Sequence, residues 1–224
     1  MIEIDNLNKV YNDGTPQAFN ALKSINLSID DGEAIILNGV SGSGKSTLLS
    51  IIAALDKPTS GKVVVDGELI SKLPDLHASA YRAKSIGFIF QHFNLIESLS
   101  VEENIYAPIV HIGLDIERIR DMAKRVMVEA SIEHKADQSI RDLSGGEKQR
   151  CAIARALVRD PKLIICDEPT ANLDRANSMK FIDILSRLHS RGKSIIVATH
   201  DPLFKSLPFP SRVIEMEDGV IVEG

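Results

Sequence analysis

Three stretches of the chain are apolar almost without interruption: SIGFIF (85–90), KLIICD (162–167) and SIIVATH (194–200). Side chains alternate between the two faces of a strand. A run without polar alternation therefore suits strands covered on both sides, as in a parallel sheet. Further β-rich runs bounded by turn residues stand at MIEIDNL, ALKSINLSI, GEAIILNG and GKVVVDGELI. Between them the period changes to that of a helix. In LDIERIRDMAKRVMVEA (114–130), Ile116, Ile119, Ala123, Val126, Met127 and Ala130 fall on one face. RANSMKFIDILSRLHSRG (175–192) reads as another helix, which Gly192 is placed to end. In the tail RVIEMEDGVIVEG, Asp218-Gly219 between two β-prone runs predicts a hairpin.

Strands alternating with helices predict an α/β core with right-handed crossovers. The segment between SIGFIF and KLIICD carries almost no strand signal and is far longer than one crossover helix needs. A helical subdomain inserted there, over about 93–158, is expected. The flanking segments 1–92 and 159–224 would then form the core of a single domain.

The 224 residues suffice for a sizeable core, and 44% hydrophobic with 25% charged residues is ordinary for a globular protein. A net charge of −5 without a basic block argues against nucleic acid as a partner. Cys151 and Cys166 lack metal-type spacing and read as reduced thiols. The start, MIEIDNLNKVYNDG, has no apolar signal region, and no apolar stretch approaches the roughly 20 residues that span a bilayer. A membrane would be reached through a partner.

The strongest chemical signal is Gly39-x-x-x-x-Gly44-Lys45-Ser46, after a strand and before a helix. Glycines let consecutive N–H groups of a loop through Ser41, Gly42 and Ser43 curl around phosphate oxygens, and the helix adds its positive end. Lys45 would reach the β- and γ-phosphates, Ser46 would ligate Mg²⁺, and Thr47 would contact the α-phosphate. Nothing resembles the Asn-Lys-x-Asp guanine reader of GTPases. The run LIICDEP ends in Asp167 and Glu168, which as consecutive strand residues point to opposite sides. Beside a phosphate loop, Asp167 can face the metal while Glu168 orients and deprotonates a water. Taken alone, such a pair is also an ordinary solvated strand end.

Leu143-Ser144-Gly145-Gly146-Glu147-Lys148-Gln149-Arg150 resembles the signature of ATP-binding cassette (ABC) ATPases. The other motifs follow the family's order over essentially the whole chain: the phosphate loop, Gln91 in FIFQHFNL, the Asp167-Glu168 strand, ANLD (171–174) and His200 in ATHD. The resemblance implies a P-loop NTPase (RecA-like) core with a mainly parallel sheet, an antiparallel β subdomain and an inserted α-helical subdomain. It implies ATP and Mg²⁺ as cofactors, Gln91 contacting metal and water, and His200 contacting the γ-phosphate. It also implies a head-to-tail homodimer in which Ser144, Gly145 and Gly146 of one copy cover the ATP of the other, with Asp174 linking the sites. On that view the trans phosphate accounts for both glycines, although the same residues also describe an N-capped helix start. Tyr11 matches the aromatic that stacks on adenine; packing on the sheet is its other reading.

The remaining partner is expected to be an integral membrane permease, with the chain peripheral on the cytoplasmic face of the inner membrane. Phe93, Leu95, Ile96 and Leu99, after Gln91, would line a groove for the permease or pack the helical subdomain. IGFIFQHFNLIESLSVEENI together with DEPTANLD is similar to lipoprotein-release and macrolide-export ATPases, and to a related cell-division ATPase. A transport ATPase is expected; the alternative is a regulatory ATPase acting on cell-wall or division machinery. The segment between Gln91 and Ser144 is too short for the coiled coil of DNA-repair relatives. His77, His92, His111, His134 and His189 match no motif.

Overall fold

A computed structural model describes residues 1–209 and 211–223. Gly224, the last residue of the predicted tail, lies outside them, as does Pro210. The chain runs β1 (Ile2–Tyr11), β2 (Phe19–Ile29), β3 (Ala34–Asn38), α1 (Lys45–Ile52), β4 (Ser60–Val65), β5 (Glu68–Leu69), α2 (Asp75–Ser85) and β6 (Ile86–Ile89). It continues through α3 (Val101–Tyr106), α4 (Ile116–Glu129), α5 (Gly145–Leu157), β7 (Leu163–Asp167), α6 (Arg175–Ser190), β8 (Ser194–Ala198), β9 (Arg212–Glu217) and β10 (Val220–Glu223).

Two sheets form. The larger has the order β10-β9-β3-β8-β7-β6, parallel throughout except for β10 at its edge. Strands β7 and β8 lie inside it, and four of the five β7 residues and all five of β8 are buried, which is why their sequences lack alternation. At the far edge, β6 alternates between half-buried and buried positions. The smaller sheet, β2-β1-β4-β5, is antiparallel. Its Asp66-Gly67 turn and the Asp218-Gly219 turn both have two successive positive φ angles, the backbone of a tight two-residue hairpin.

Between β6 and β7 lie α3, α4 and α5, with no strand of either sheet. Helix α4 buries Ile119, Ala123, Val126 and Met127. Ile116 departs from the predicted face: it is the first helical residue, beyond the packed turns, and is 56% exposed. One apolar cluster joins these helices to Ile36, Ile164, Cys166 and the inner face of α6; a second fills the space between the two sheets around α1. Cys151 and Cys166 are both free and buried. Helix α6 ends as expected, with Gly192 at φ +79° donating its N–H to the His189 carbonyl at 2.8 Å. No described helix is long and apolar enough to cross a membrane.

Candidate active site

The carboxyl ends of β3, β8, β7 and β6 come together at one edge of the parallel sheet, the customary place for a ligand in such folds. Residues 39–44 leave β3 and turn into α1. Gly39 has φ +152°, and a Cβ there would lie 2.2 Å from the Met216 carbonyl oxygen. Gly44, at φ +99°, would meet the Ala21 oxygen at 2.7 Å. Neither position accepts a side chain. Gly44 is also the N-cap of α1 and supplies no side chain to cap the first-turn N–H groups. The hairpin turn braces the loop from behind, the Gly219 N–H donating to Ser43 O at 3.1 Å.

Lys45, only 5% exposed, donates to the carbonyls of Gly39 (2.7 Å) and Val40 (3.0 Å). Its Nζ lies 4.0 Å from Glu168 Oε1. Ser41, Gly42, Ser43, Gly44, Lys45, Ser46 and Thr47 line a cleft of about 290 Å³ together with Gln91, Glu168 and His200. Asp167 adjoins it from β7, where its Oδ1 accepts from Ser46 Oγ at 2.9 Å. Burial pushes the Asp167 carboxyl above the usual carboxylate range; the Ser46 bond and Lys45 oppose the shift, and neighbouring Glu168 adds to it. A hydroxyl and a carboxylate in contact are hard oxygen donors of the kind that Mg²⁺ accepts alongside substrate phosphates, so the residues present fit that ion.

Glu168 departs from ordinary backbone. Its φ of +44° is an unusual conformation for a residue with a side chain, held by its N–H donating to Ala198 O at 2.8 Å. Its carboxylate meets His200, whose Nδ1 lies 2.9 Å from Glu168 Oε1. With the carboxylate as acceptor, the His200 ring would donate from Nδ1, leaving Nε2 as its other nitrogen. Gln91 lines the cleft, and its backbone carbonyl accepts from Asn172 Nδ2 at 3.0 Å.

Ser144, Gly145, Gly146 and Asp174 are not among the residues lining this cleft. They form a separate surface where α5 and α6 begin. Ser144 caps α5 in a reciprocal capping box: Glu147 Oε2 accepts from Ser144 N (2.8 Å) and Oγ (2.7 Å). Asp174 caps α6, accepting from Asn177 N at 2.8 Å and Asn177 Nδ2 at 2.9 Å. A Cβ on Gly146 would stand 2.7 Å from the Asn177 side chain, whereas one on Gly145 would meet the Asn172 oxygen at an ordinary 3.5 Å. Gly146 thus has a reason inside its own chain, the close approach of α5 to the start of α6, which sequence reasoning missed.

Tyr11 is 37% exposed at the end of β1 and pairs across the sheet with Phe19. Phe19, 57% exposed, lines the cleft and was also missed, since a lone aromatic at a strand start carries no motif. Leu95 packs against the core cluster of the helical segment, whereas Ile96 is exposed. His189 is a packing residue, stacked on Phe209 at 4.9 Å.

Residues 22–171 match the ABC transporter family. The chain belongs to that family. The cassette is 40% identical over 222 residues to an uncharacterized ABC transporter ATP-binding protein, YknY, of Bacillus subtilis, covering 99% of this chain and 95% of that protein. It is 39% identical over 223 residues to the lipoprotein-releasing system ATP-binding protein LolD of Geobacter metallireducens, covering 99% and 98%. It is 38% identical to the macrolide export ATP-binding/permease protein MacB of Hyphomonas neptunium, covering 99% of the cassette but only 34% of that longer protein. Its backbone matches the ATP-binding cassette MJ0796, solved as a dimer in a post-hydrolysis state with ADP and Pi. That match has a TM-score of 0.91 at 38% identity over 100% of this chain and 97% of the other.

Proposed function

We propose that the cassette binds ATP between two copies arranged head to tail, hydrolyses it, and drives a separate membrane permease of the lipoprotein-release or macrolide-export type. The observation that carries the chemistry is Glu168, held in a strained backbone between Lys45 and His200 at the mouth of the cleft. The loop N–H groups and Lys45 bind the β- and γ-phosphates. Glu168 orients the attacking water and takes its proton. His200, its Nδ1–H committed to Glu168, turns Nε2 toward the γ-phosphate. Ser46, Asp167 and Gln91 would hold Mg²⁺, whose charge offsets that of the phosphates. Ser144, Gly145, Gly146 and Asp174 act on the partner's nucleotide, which agrees with their standing apart from their own chain's cleft.

Segment 93–158 serves as the helical subdomain that meets the permease on the cytoplasmic face of the membrane. Beside the Gln91 loop a second cleft of about 240 Å³, lined by Phe88, Phe90 and Pro108 together with Arg82, Arg155 and Arg159, suits a helix of that partner that carries both apolar and acidic side chains. The names of LolD and MacB support the transport class. Glu168→Gln tests the reading: with ATP the variant elutes at dimer mass and releases phosphate about 10²–10⁴ times more slowly. Turnover at the unaltered rate removes Glu168 as the base, and a variant that stays monomeric with ATP bound contradicts the paired site.

A further inference from the structure

Tyr11 is fixed more firmly than a half-exposed aromatic at a strand end needs to be. Its hydroxyl donates to Asp56 Oδ2 at 2.9 Å, across a sequence separation that includes the whole phosphate loop and α1. The other Asp56 oxygen accepts from Lys9 Nζ at 2.7 Å and from the Lys57 N–H at 2.7 Å. Lys9 also donates to the Lys57 carbonyl at 2.7 Å, so its ammonium is pinned. Lys9 precedes Tyr11 by two residues and shares its face of β1. The ammonium sits 4.7 Å from the Tyr11 ring centroid, covering one face of the ring.

Burial alone would raise the Asp56 carboxyl, but Lys9, Tyr11 and the Lys57 N–H together hold it below the usual range, so it is charged at neutral pH. Burial, opposed by the Thr47 hydroxyl and aided by Asp56, pushes the Tyr11 phenol up, so it keeps the proton that it donates. The network joins Tyr11 to the segment immediately after α1, the helix whose N-terminus meets the phosphates. Ring and phosphate loop are thereby held at one fixed separation.

We propose that Asp56 and Lys9 are positioning residues for the nucleotide base. Asp56 sets the tilt and distance of the Tyr11 ring relative to the phosphate loop. Lys9 occupies one face and leaves the other as the stacking platform. This rests on the reading of Tyr11 as the adenine contact. Preorganising the ring lowers the entropy lost when a base stacks on it, which appears in binding and not in the chemical step.

The test compares Tyr11→Ala, Tyr11→Phe, Asp56→Asn, Lys9→Met and the double variant Tyr11→Phe/Asp56→Asn. Each is assayed for kcat and KM with ATP and for competition by inorganic tripolyphosphate, which has phosphates but no base. Loss of one such hydrogen bond corresponds to about a fivefold change in affinity. Tyr11→Phe, Asp56→Asn and Lys9→Met are each expected to raise KM for ATP about fivefold, with kcat and tripolyphosphate affinity unchanged. The double variant should fall well short of the product of its parents, because part of what Asp56→Asn weakens, the bond to the Tyr11 hydroxyl, is already absent in Tyr11→Phe. If Tyr11→Ala raises KM but Asp56→Asn does not, the positioning role falls while the adenine contact stands. If Tyr11→Ala leaves KM unchanged, both fall. Equal losses for ATP and tripolyphosphate in Asp56→Asn would make Asp56 a support of the fold, and a multiplicative effect in the double variant would break the link between the two residues.

Discussion

Replacing Gly146 with Ala sets two effects of opposite sign against each other on one helix. On propensity alone the change favours α5 by up to about 1 kcal/mol, because alanine loses less backbone freedom in a helix. Against it stands the Asn177 side chain, 2.7 Å from where the new Cβ would lie. To make room Asn177 must give up side-chain contacts, its Nδ2 donating to Asp174 Oδ2 at 2.9 Å and its Oδ1 accepting from Arg150 at 3.5 Å, while the cap of α6 itself, the Asn177 N–H to Asp174 Oδ1, stays in place. Overpacking of this kind costs about 1–3 kcal/mol. Subtracting the full propensity gain leaves a loss of about 0–2 kcal/mol, or a melting temperature lower by up to about 8 °C for a chain of this size. Gly145→Ala is the control: its Cβ meets only the Asn172 oxygen, at 3.5 Å, so it should melt at or slightly above the unaltered protein. Thermal denaturation of the isolated chains, followed by circular dichroism without nucleotide, reads both. A Gly146→Ala protein as stable as Gly145→Ala would refute the packing argument and return that glycine to a purely nucleotide-facing role.

The Glu147 carboxyl is held at about 2, first by the Ser144 hydroxyl and N–H and then by Lys135 at 3.3 Å. Because the folded value lies below the ordinary one, its contribution to stability is complete above about pH 4.5 and disappears as pH falls toward 2. The difference in urea stability between the unaltered protein and Glu147→Gln should therefore shrink over that window, and a difference independent of pH would contradict it. Arg155 donates to the carbonyls of Phe93 and Asn94, both at positive φ after Gln91. Arg155→Ala should accelerate amide hydrogen exchange in residues 91–96 by more than about tenfold, since bonds to a charged group contribute about 1.5–3 kcal/mol. Unchanged protection would show that the turn holds itself.

What could be read along the chain was what neighbouring residues determine. The unbroken apolar runs of β7 and β8 reflect burial on both faces, the Asp218-Gly219 pair produced its turn, and the glycine-lysine loop was visible because its residues are contiguous. Helix α2 was not recognised, as Ala78 and Tyr81 are its only buried residues. Ile116 was misplaced because periodicity shows a face but not where a neighbouring helix stops covering it. The remainder depends on register between distant segments. Asp56 beneath the Tyr11 hydroxyl, Gly219 behind Ser43, and Gln149, 2% exposed, donating to the Pro169 carbonyl at 2.9 Å are contacts that no local spacing encodes. The strain at Glu168 was equally invisible, since it arises from a bond to the neighbouring strand.

Mixing two inactive variants tests the shared site most directly. Lys45→Ala removes the phosphate contact of the loop, and Ser144→Arg blocks the tip of α5; each alone should hydrolyse no ATP. In a mixed pair, the intact loop of the Ser144→Arg chain faces the intact helix tip of the Lys45→Ala chain. The account predicts that the mixture releases phosphate well above the mean of its two components, and a mixture no more active than that mean would contradict it.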